Sequence, residues 1–139
     1  MIHWPAEGYV EAYLEMEKLQ KEGLTRSIGV SNFRKSHLQN LLSKVHIVPS
    51  INQIETNPQM VDEETIQYCK ENKIGVEAWS PLGSGACLNN PKIQEIANKY
   101  QKSSAQIILR WLLQKGIVIL PKSVHENRIK ENIDVFDLN

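Results

Sequence analysis

At 139 residues the chain has room for one domain with a sizeable core, though it is short for an α/β enzyme. Sixteen Lys and Arg balance sixteen Asp and Glu, so no broad field directs the chain to nucleic acid or an anionic membrane. Arg110 interrupts the longest apolar run, the opening MIHWPAEG lacks the pattern of a secretory signal, and Cys69 and Cys87 suit reduced thiols, so a soluble, cytoplasmic protein is expected.

In chain order, residues 1–4 read as the end of a strand closed by Pro5. Residues 9–22 are rich in helix formers, carry Glu17 and Lys21 four apart, and meet a stop at Gly23. Ser27–Val30 is strand-like, and Ser31, Asn32 and Phe33 turn the chain. Leu38, Leu41, Leu42 and Val45 then mark one face of a second helix. Ser50–Ile54 is a further strand, followed by the turn at Asn57 and Pro58. A third helix begins on Asp62, Glu63 and Glu64 and ends near Lys70 and Lys73, the polarity that the helix dipole favours.

Ile74–Trp79 predicts another strand, leading into the turn SPLGSG. Asn90 and Pro91 read as a cap and first helical residue, with Ile93, Ile96, Ala97 and Tyr100 on one face. The next helix starts near Ser103, buries Ala105, Ile108, Leu109 and Leu112, and stops at Gly116. Ile117–Leu120 forms an apolar run suited to a buried strand, ended by Pro121, and a helical pattern resumes from His125. A strand feeding a helix through a short cationic turn gathers backbone N–H groups, Lys122 and Arg128 about one point, which suits a phosphate. An ordinary strand–turn–helix with solvated charges accounts for that segment equally well.

Strands beginning near 27, 50 and 74 recur at the length of one β/α unit, which implies a parallel sheet covered by helices. In an open α/β sheet or a (β/α)8 barrel, ligands bind at the carboxyl ends of the strands. His3-Trp4, Ser31-Asn32, Gln53, Trp79-Ser80 and Lys122-Ser123 all fall at such ends. Five polar clusters on one face point to a site.

The segments IHWP, IGVSNF, INQIETNP, EAWSPLG, SSAQIILRWLLQKG and ILPKSVHENRIKENIDVFD, in this order and spacing, resemble the aldo-keto reductases. The resemblance is nearest to microbial glyoxal, methylglyoxal or diketogluconate-type reductases. It implies a (β/α)8 TIM-barrel fold that reduces aldehydes and ketones with NADPH, without a glycine-rich Rossmann turn. It further implies that residues 1–139 are a single partial domain, truncated at both ends, running from a stub of the fourth barrel strand through the eighth.

On this resemblance His3 matches the catalytic histidine that hydrogen-bonds the substrate carbonyl, and Trp4 a wall of the substrate pocket. Ser31, Asn32 and Gln53 match residues that hold the nicotinamide carboxamide. Trp79, where many members carry Tyr, matches the aromatic that stacks on the nicotinamide, a contact that adds about 0.5–1.5 kcal/mol beyond burial. Ser80, Leu82 and Ser84 match the loop over the pyrophosphate, with Gly83 and Gly85 expected to let it move. Lys122, Ser123 and Arg128 match the clamp on the adenosine 2′-phosphate, and Glu131 and Asn132 the contacts to adenine. Glu55 is expected to be structural.

Of the family's catalytic Asp, Tyr, Lys and His, only the histidine has a counterpart here. Tyr9, Tyr13, Tyr68 and Tyr100 all lie on predicted helices, away from strand ends. No His, Cys and carboxylate spacing suits a metal, and no basic stripe suits nucleic acid. Two functions are therefore expected in turn: an NADPH-dependent carbonyl reductase in partial form, inactive alone, or a catalytically inactive half-barrel that serves as a binding or interaction protein. In both, open sheet edges favour self-association.

Overall fold

The computed structural model describes residues Met1–Leu138. It is an α/β fold with a four-stranded sheet in the order β1-β2-β3-β4, where β1 is Val30–Ser31, β2 Ile51–Glu55, β3 Gly75–Trp79 and β4 Val118–Ile119. The chain divides into two compact units, one of Met1–Ile54 with Asp62–Glu77, the other of Glu55–Val61 with the chain from Ala78 onward.

In the first unit, helix α1 (Tyr9–Lys21) ends as Gly23 adopts φ +75. The Gly23 amide donates to Gln20 O and the Leu24 amide to Leu19 O, each at 3.0 Å, a Schellman closure that only glycine enters without strain. β1 pairs in parallel with β2, Val30 facing Asn52 and Ser31 facing Gln53, and Ile2 adds a parallel bridge to Val30. The strand is shorter and later than the expected Ser27–Val30, because Ile28 and Gly29 make single bonds, to Ser50 and Ile2, without a continuous ladder. Gly29 is required by close approach: a Cβ there would lie 2.8 Å from Ile51 Cγ2 and 2.9 Å from Ile51 O.

Helices α2 (Lys35–Leu42) and α3 (Glu63–Glu71) complete this unit. α2 buries Leu38 and Leu41, as its periodicity predicts, and stops before Val45. α3 is capped by Asp62, whose carboxylate accepts from Thr65 N at 3.0 Å. Tyr13, Phe33, Leu38 and Leu41 form the core, each side chain stabilising the fold by roughly 1.5–3 kcal/mol through burial. Asn52, fully buried, joins β2 to the turn after β1: its Nδ2 donates to Phe33 O at 2.8 Å, and its Oδ1 accepts from Phe33 N at 3.4 Å.

In the second unit the expected turn after β3 winds further, into a 3-10 stretch, Gly83–Asn89. Helix α4 (Pro91–Tyr100) starts as predicted, the Asn90 side chain accepting from Lys92 N at 3.0 Å. Helix α5 (Ser104–Gln114) carries a reciprocal cap between Ser103 and Gln106. It buries Ile108, Leu109 and Leu112 beside Ile117, Val135 and Leu138. Lys102 closes the packing by meeting Asp134 Oδ2 at 2.8 Å and Asp137 Oδ2 at 2.9 Å.

The last β/α element departs from expectation. Ile117 is buried, but Val118 is 46% and Leu120 60% exposed, and helix α6 (Glu126–Ile133) buries no residue. β4 stands last in the strand order, so among the described residues one side of it has no sheet neighbour. Its apolar residues, with Ile129, Ile133 and Phe136, line an open groove of about 910 Å³.

Candidate functional site

Both central strands alternate. Asn52 and Ile54 on β2, and Val76 and Ala78 on β3, are buried, while Gln53, Glu55, Glu77 and Trp79 are half-buried. Period two thus sorts each strand into a packed face and a polar, partly open face. The polar face carries the site.

In the first unit that face holds a continuous hydrogen-bonded chain. Asn32, in the left-handed region at φ +62, donates from Nδ2 to His3 O at 3.0 Å and to Ser31 Oγ at 3.1 Å. Asn tolerates that backbone because its short polar side chain bonds locally. Ser31, almost fully buried, donates from Oγ to Gln53 O at 2.8 Å, and the Asn32 amide donates to the same carbonyl at 2.8 Å. Gln53 Nε2 in turn donates to Glu77 Oε1. The four residues predicted to share a site here, His3, Ser31, Asn32 and Gln53, are therefore brought together. The His3 ring is exposed and packs beside Trp4 at a centroid distance of 6.0 Å, tilted 50°, and Trp4 itself is 56% exposed.

Glu77 is the member that sequence reasoning missed. A glutamate inside a strand ordinarily reads as solvated charge, yet it lies two residues before Trp79 and so shares that residue's face. That parity was the available signal.

In the second unit Trp79 ends β3, half-buried, with its carbonyl accepting from Thr56 N at 3.4 Å. Ser80 and Ser84 both take positive φ, +49 and +53, a strained conformation for serine. The loop is held by local bonds: Ser84 N donates to Ser80 Oγ at 3.1 Å, and Gly83 N to Ser80 O at 2.9 Å. Asn57 Nδ2 reaches the same Ser80 carbonyl at 3.4 Å and also Glu55 Oε1 at 3.4 Å, which gives Glu55 the structural part expected of it. Gly83 allows close approach, since a Cβ there would lie 2.8 Å from Cys87 Sγ, whereas Gly85 faces open space. Leu82 is half-buried in this loop.

Further along the second unit, Lys122 is exposed, and Ser123 Oγ accepts from His125 N at 3.1 Å at the entry to α6. Lys122, Ser123 and Asn132 line the groove beside β4; Arg128 is exposed on α6 and Glu131 half-buried. α6 also carries an exposed Lys130–Glu126 pair at 2.7 Å.

Tyr9 and Tyr13 both lie on α1. Burial, and secondarily the Glu17 charge, push the Tyr13 hydroxyl well above its ordinary pKa, and that hydroxyl has no hydrogen-bond partner. Tyr9 accepts a hydrogen bond from Asn40 instead. Among the described residues no group of three or more His, Cys, Asp or Glu is placed to hold a metal ion. Among the described residues no helix is long and apolar enough to cross a membrane.

Each unit carries polar groups with a chemistry of its own. Ser31 Oγ is buried between Gln53 O and Asn32 Nδ2, whereas Glu77 receives the Gln53 amide nitrogen and leaves the Gln53 Oε1 as an acceptor, which suits a carboxamide NH2. The cationic Lys122 and Arg128 have the charge that a phosphate needs.

Residues 1–139 match the model of the aldo/keto reductase family. The chain is 49% identical to a glyoxal reductase of Bacillus subtilis, over 99% of this chain and 50% of the relative. It is 45% identical to the methylglyoxal reductase DkgA of Escherichia coli, over 99% and 52%. Among solved structures, apo Gox0644 superposes with a TM-score of 0.94 at 41% identity, over 99% of this chain and 52% of that one. A Bombyx mori aldo-keto reductase in complex with NADP gives 0.87 at 41% identity, over 94% and 46%. The chain thus spans about half the length of the relatives it matches. With the family model matching this chain from residue 1 to residue 139, the chain belongs to the aldo/keto reductase family.

Proposed function

We propose that this chain supplies the cofactor-holding part of an NADPH-dependent carbonyl reductase that acts on small aldehydes and α-dicarbonyls of the glyoxal and methylglyoxal class. The observation that carries the reading is the hydrogen-bonded run from His3 through Asn32 and Ser31 to Gln53, a fixed set of polar groups beside an exposed imidazole that supports a carboxamide-holding role. The relatives at 49% and 45% identity, named for glyoxal and methylglyoxal, support the substrate class. A similar chain solved with NADP supports the cofactor.

When bound, NADPH supplies the hydride that reduces the carbonyl carbon. Ser31, Asn32 and Gln53 would orient its carboxamide and thereby select one ring face, Trp79 would stack on the ring, and Ser80, Leu82 and Ser84 would cover the pyrophosphate. Lys122, Ser123 and Arg128 would clamp the 2′-phosphate, with Glu131 and Asn132 at the adenine. His3 would hydrogen-bond the substrate oxygen, with Trp4 beside it as an apolar wall. The family's acid, a Tyr tuned by Lys and Asp, has no counterpart among these residues, and a positioned general acid contributes about 10²–10⁴-fold. As a 139-residue polypeptide the chain is therefore inactive, and its exposed β4–α6 residues favour self-association in the cytoplasm, where both buried thiols stay reduced.

The test follows NADPH oxidation with methylglyoxal at neutral pH. The chain alone should show none above background. Mixed with a polypeptide carrying the first half of a glyoxal reductase relative, it should turn over, and His3→Ala should depress that turnover. Robust activity of the chain alone would overturn the proposal, as would a mixture indifferent to His3.

A further inference from the structure

Gln53 is useful to a carboxamide only if its own amide faces the right way. Its oxygen and nitrogen are nearly equal in size, so packing alone scarcely distinguishes one orientation from the flipped one. A hydrogen-bonding partner has to decide, and an ionised carboxylate decides unambiguously, because it accepts and never donates. Glu77 is that partner: its Oε1 receives Gln53 Nε2 on the half-buried face that β2 and β3 expose within the first unit. We propose that Glu77 is a positioning residue that locks the Gln53 amide with its nitrogen inward, leaving the carbonyl oxygen as the group offered to ligand. This rests on the cofactor reading above and deepens it. Discrimination for a carboxamide NH2, as opposed to any other substituent on the ring, then depends on a residue that does not itself touch the cofactor.

Flipping the amide would be costly in two ways. It would set Gln53 Oε1 against the Glu77 carboxylate, and it would present a donor where the cofactor also presents a donor. Glu77→Gln removes the charge while keeping the size and a hydrogen bond, so both orientations of Gln53 become possible. The backbone carbonyl of Gln53 keeps its bonds from Ser31 Oγ and the Asn32 amide whichever way the side chain turns. The effect is therefore confined to the side-chain amide.

The experiment is calorimetric titration of the 139-residue chain and of Glu77→Gln with three probes. They are NADP+, its 3-acetylpyridine analogue, in which methyl replaces the carboxamide NH2, and 2′,5′-ADP, which lacks the nicotinamide half. The unsubstituted chain should prefer NADP+ to the analogue by about 10-fold, the cost of facing acceptors with a group that cannot donate. In Glu77→Gln that preference should collapse to within about 2-fold, with 2′,5′-ADP affinity unchanged, an outcome that a merely structural role of Glu77 would not produce. Equal affinity for NADP+ and the analogue in the unsubstituted chain would overturn the assignment, and so would an undiminished preference in the variant. Failure of all three probes to bind would overturn the cofactor reading itself, and this inference with it. Should Glu77→Gln not fold, Glu77→Asp, which keeps the charge but draws it back from the Gln53 amide, takes its place, and an undiminished preference there would overturn the proposal.

Discussion

The two units hold their polar residues by different means. In the first, Ser31, Asn32 and Gln53 sit at the ends of paired strands and are fixed by bonds to one another and to backbone carbonyls. Beneath them a buried amide, Asn52, pins the same turn. In the second, Lys122 and Arg128 stand exposed on a turn and a helix that buries nothing. One group is held before any ligand arrives; the other is charged but loosely supported. On the proposed reading, the groups that would choose a ring face are built into strands and core, whereas the charges that would meet a phosphate lie on an exposed surface.

The contrast is most strongly tested by truncation. Leu38→Ala, beneath the strand-end network, removes a fully buried side chain and should cost about 2–5 kcal/mol in urea unfolding. Ile133→Ala, on α6 and 72% exposed, should change stability by no more than about 0.5 kcal/mol. Comparable losses at the two positions would show that α6 is packed against something and that the contrast is false.

The second break is in binding. Arg128→Ala should weaken NADPH by about 1.5–3 kcal/mol, the worth of a charge-assisted bond, and leave NADH nearly unchanged. Equal losses for both cofactors, measured by fluorescence titration, would take Arg128 away from the 2′-phosphate.

How far each region is legible in sequence follows the same division. Helix ends were readable where a cap or a left-handed residue dictates them, as at Gly23, Asn90 and Ser103. Strand bounds were less so. Ladder bonds depend on a neighbour, which is why the expected Ser27–Val30 became Val30–Ser31. The run Ile117–Leu120 carries the apolarity of a buried strand, yet only Ile117 is buried, since apolar composition does not reveal whether anything lies on the far side. That Ser31, Asn32 and Gln53 lie together was expected from the strand-end pattern and is found in their shared hydrogen bonds, whereas the Gln53–Glu77 contact appears only once β2 and β3 are set side by side.

The smallest expected effect concerns a polar anchor in the first unit that lies away from the strand ends. Glu17 is only 2% exposed on α1, a position where burial by itself would raise its pKa. The backbone amides of Ile47 and His46, donating to Oε1 at 2.8 and 2.7 Å, together with the His46 ring at 3.2 Å, outweigh that burial. The carboxyl is therefore held below its ordinary value. A depressed carboxyl contributes stability that is present above the unfolded-state pKa and lost as pH falls through the folded one. Glu17→Gln keeps an acceptor but discards the charge, so it should cost about 1 kcal/mol at neutral pH. In acid, where the wild-type carboxyl is itself protonated, the two proteins should converge. Thermal melts across the acid range measure both limbs. A difference that stays constant from neutral pH into acid would mean that the charge contributes nothing, and that Glu17 anchors the His46–Ile47 turn by shape alone.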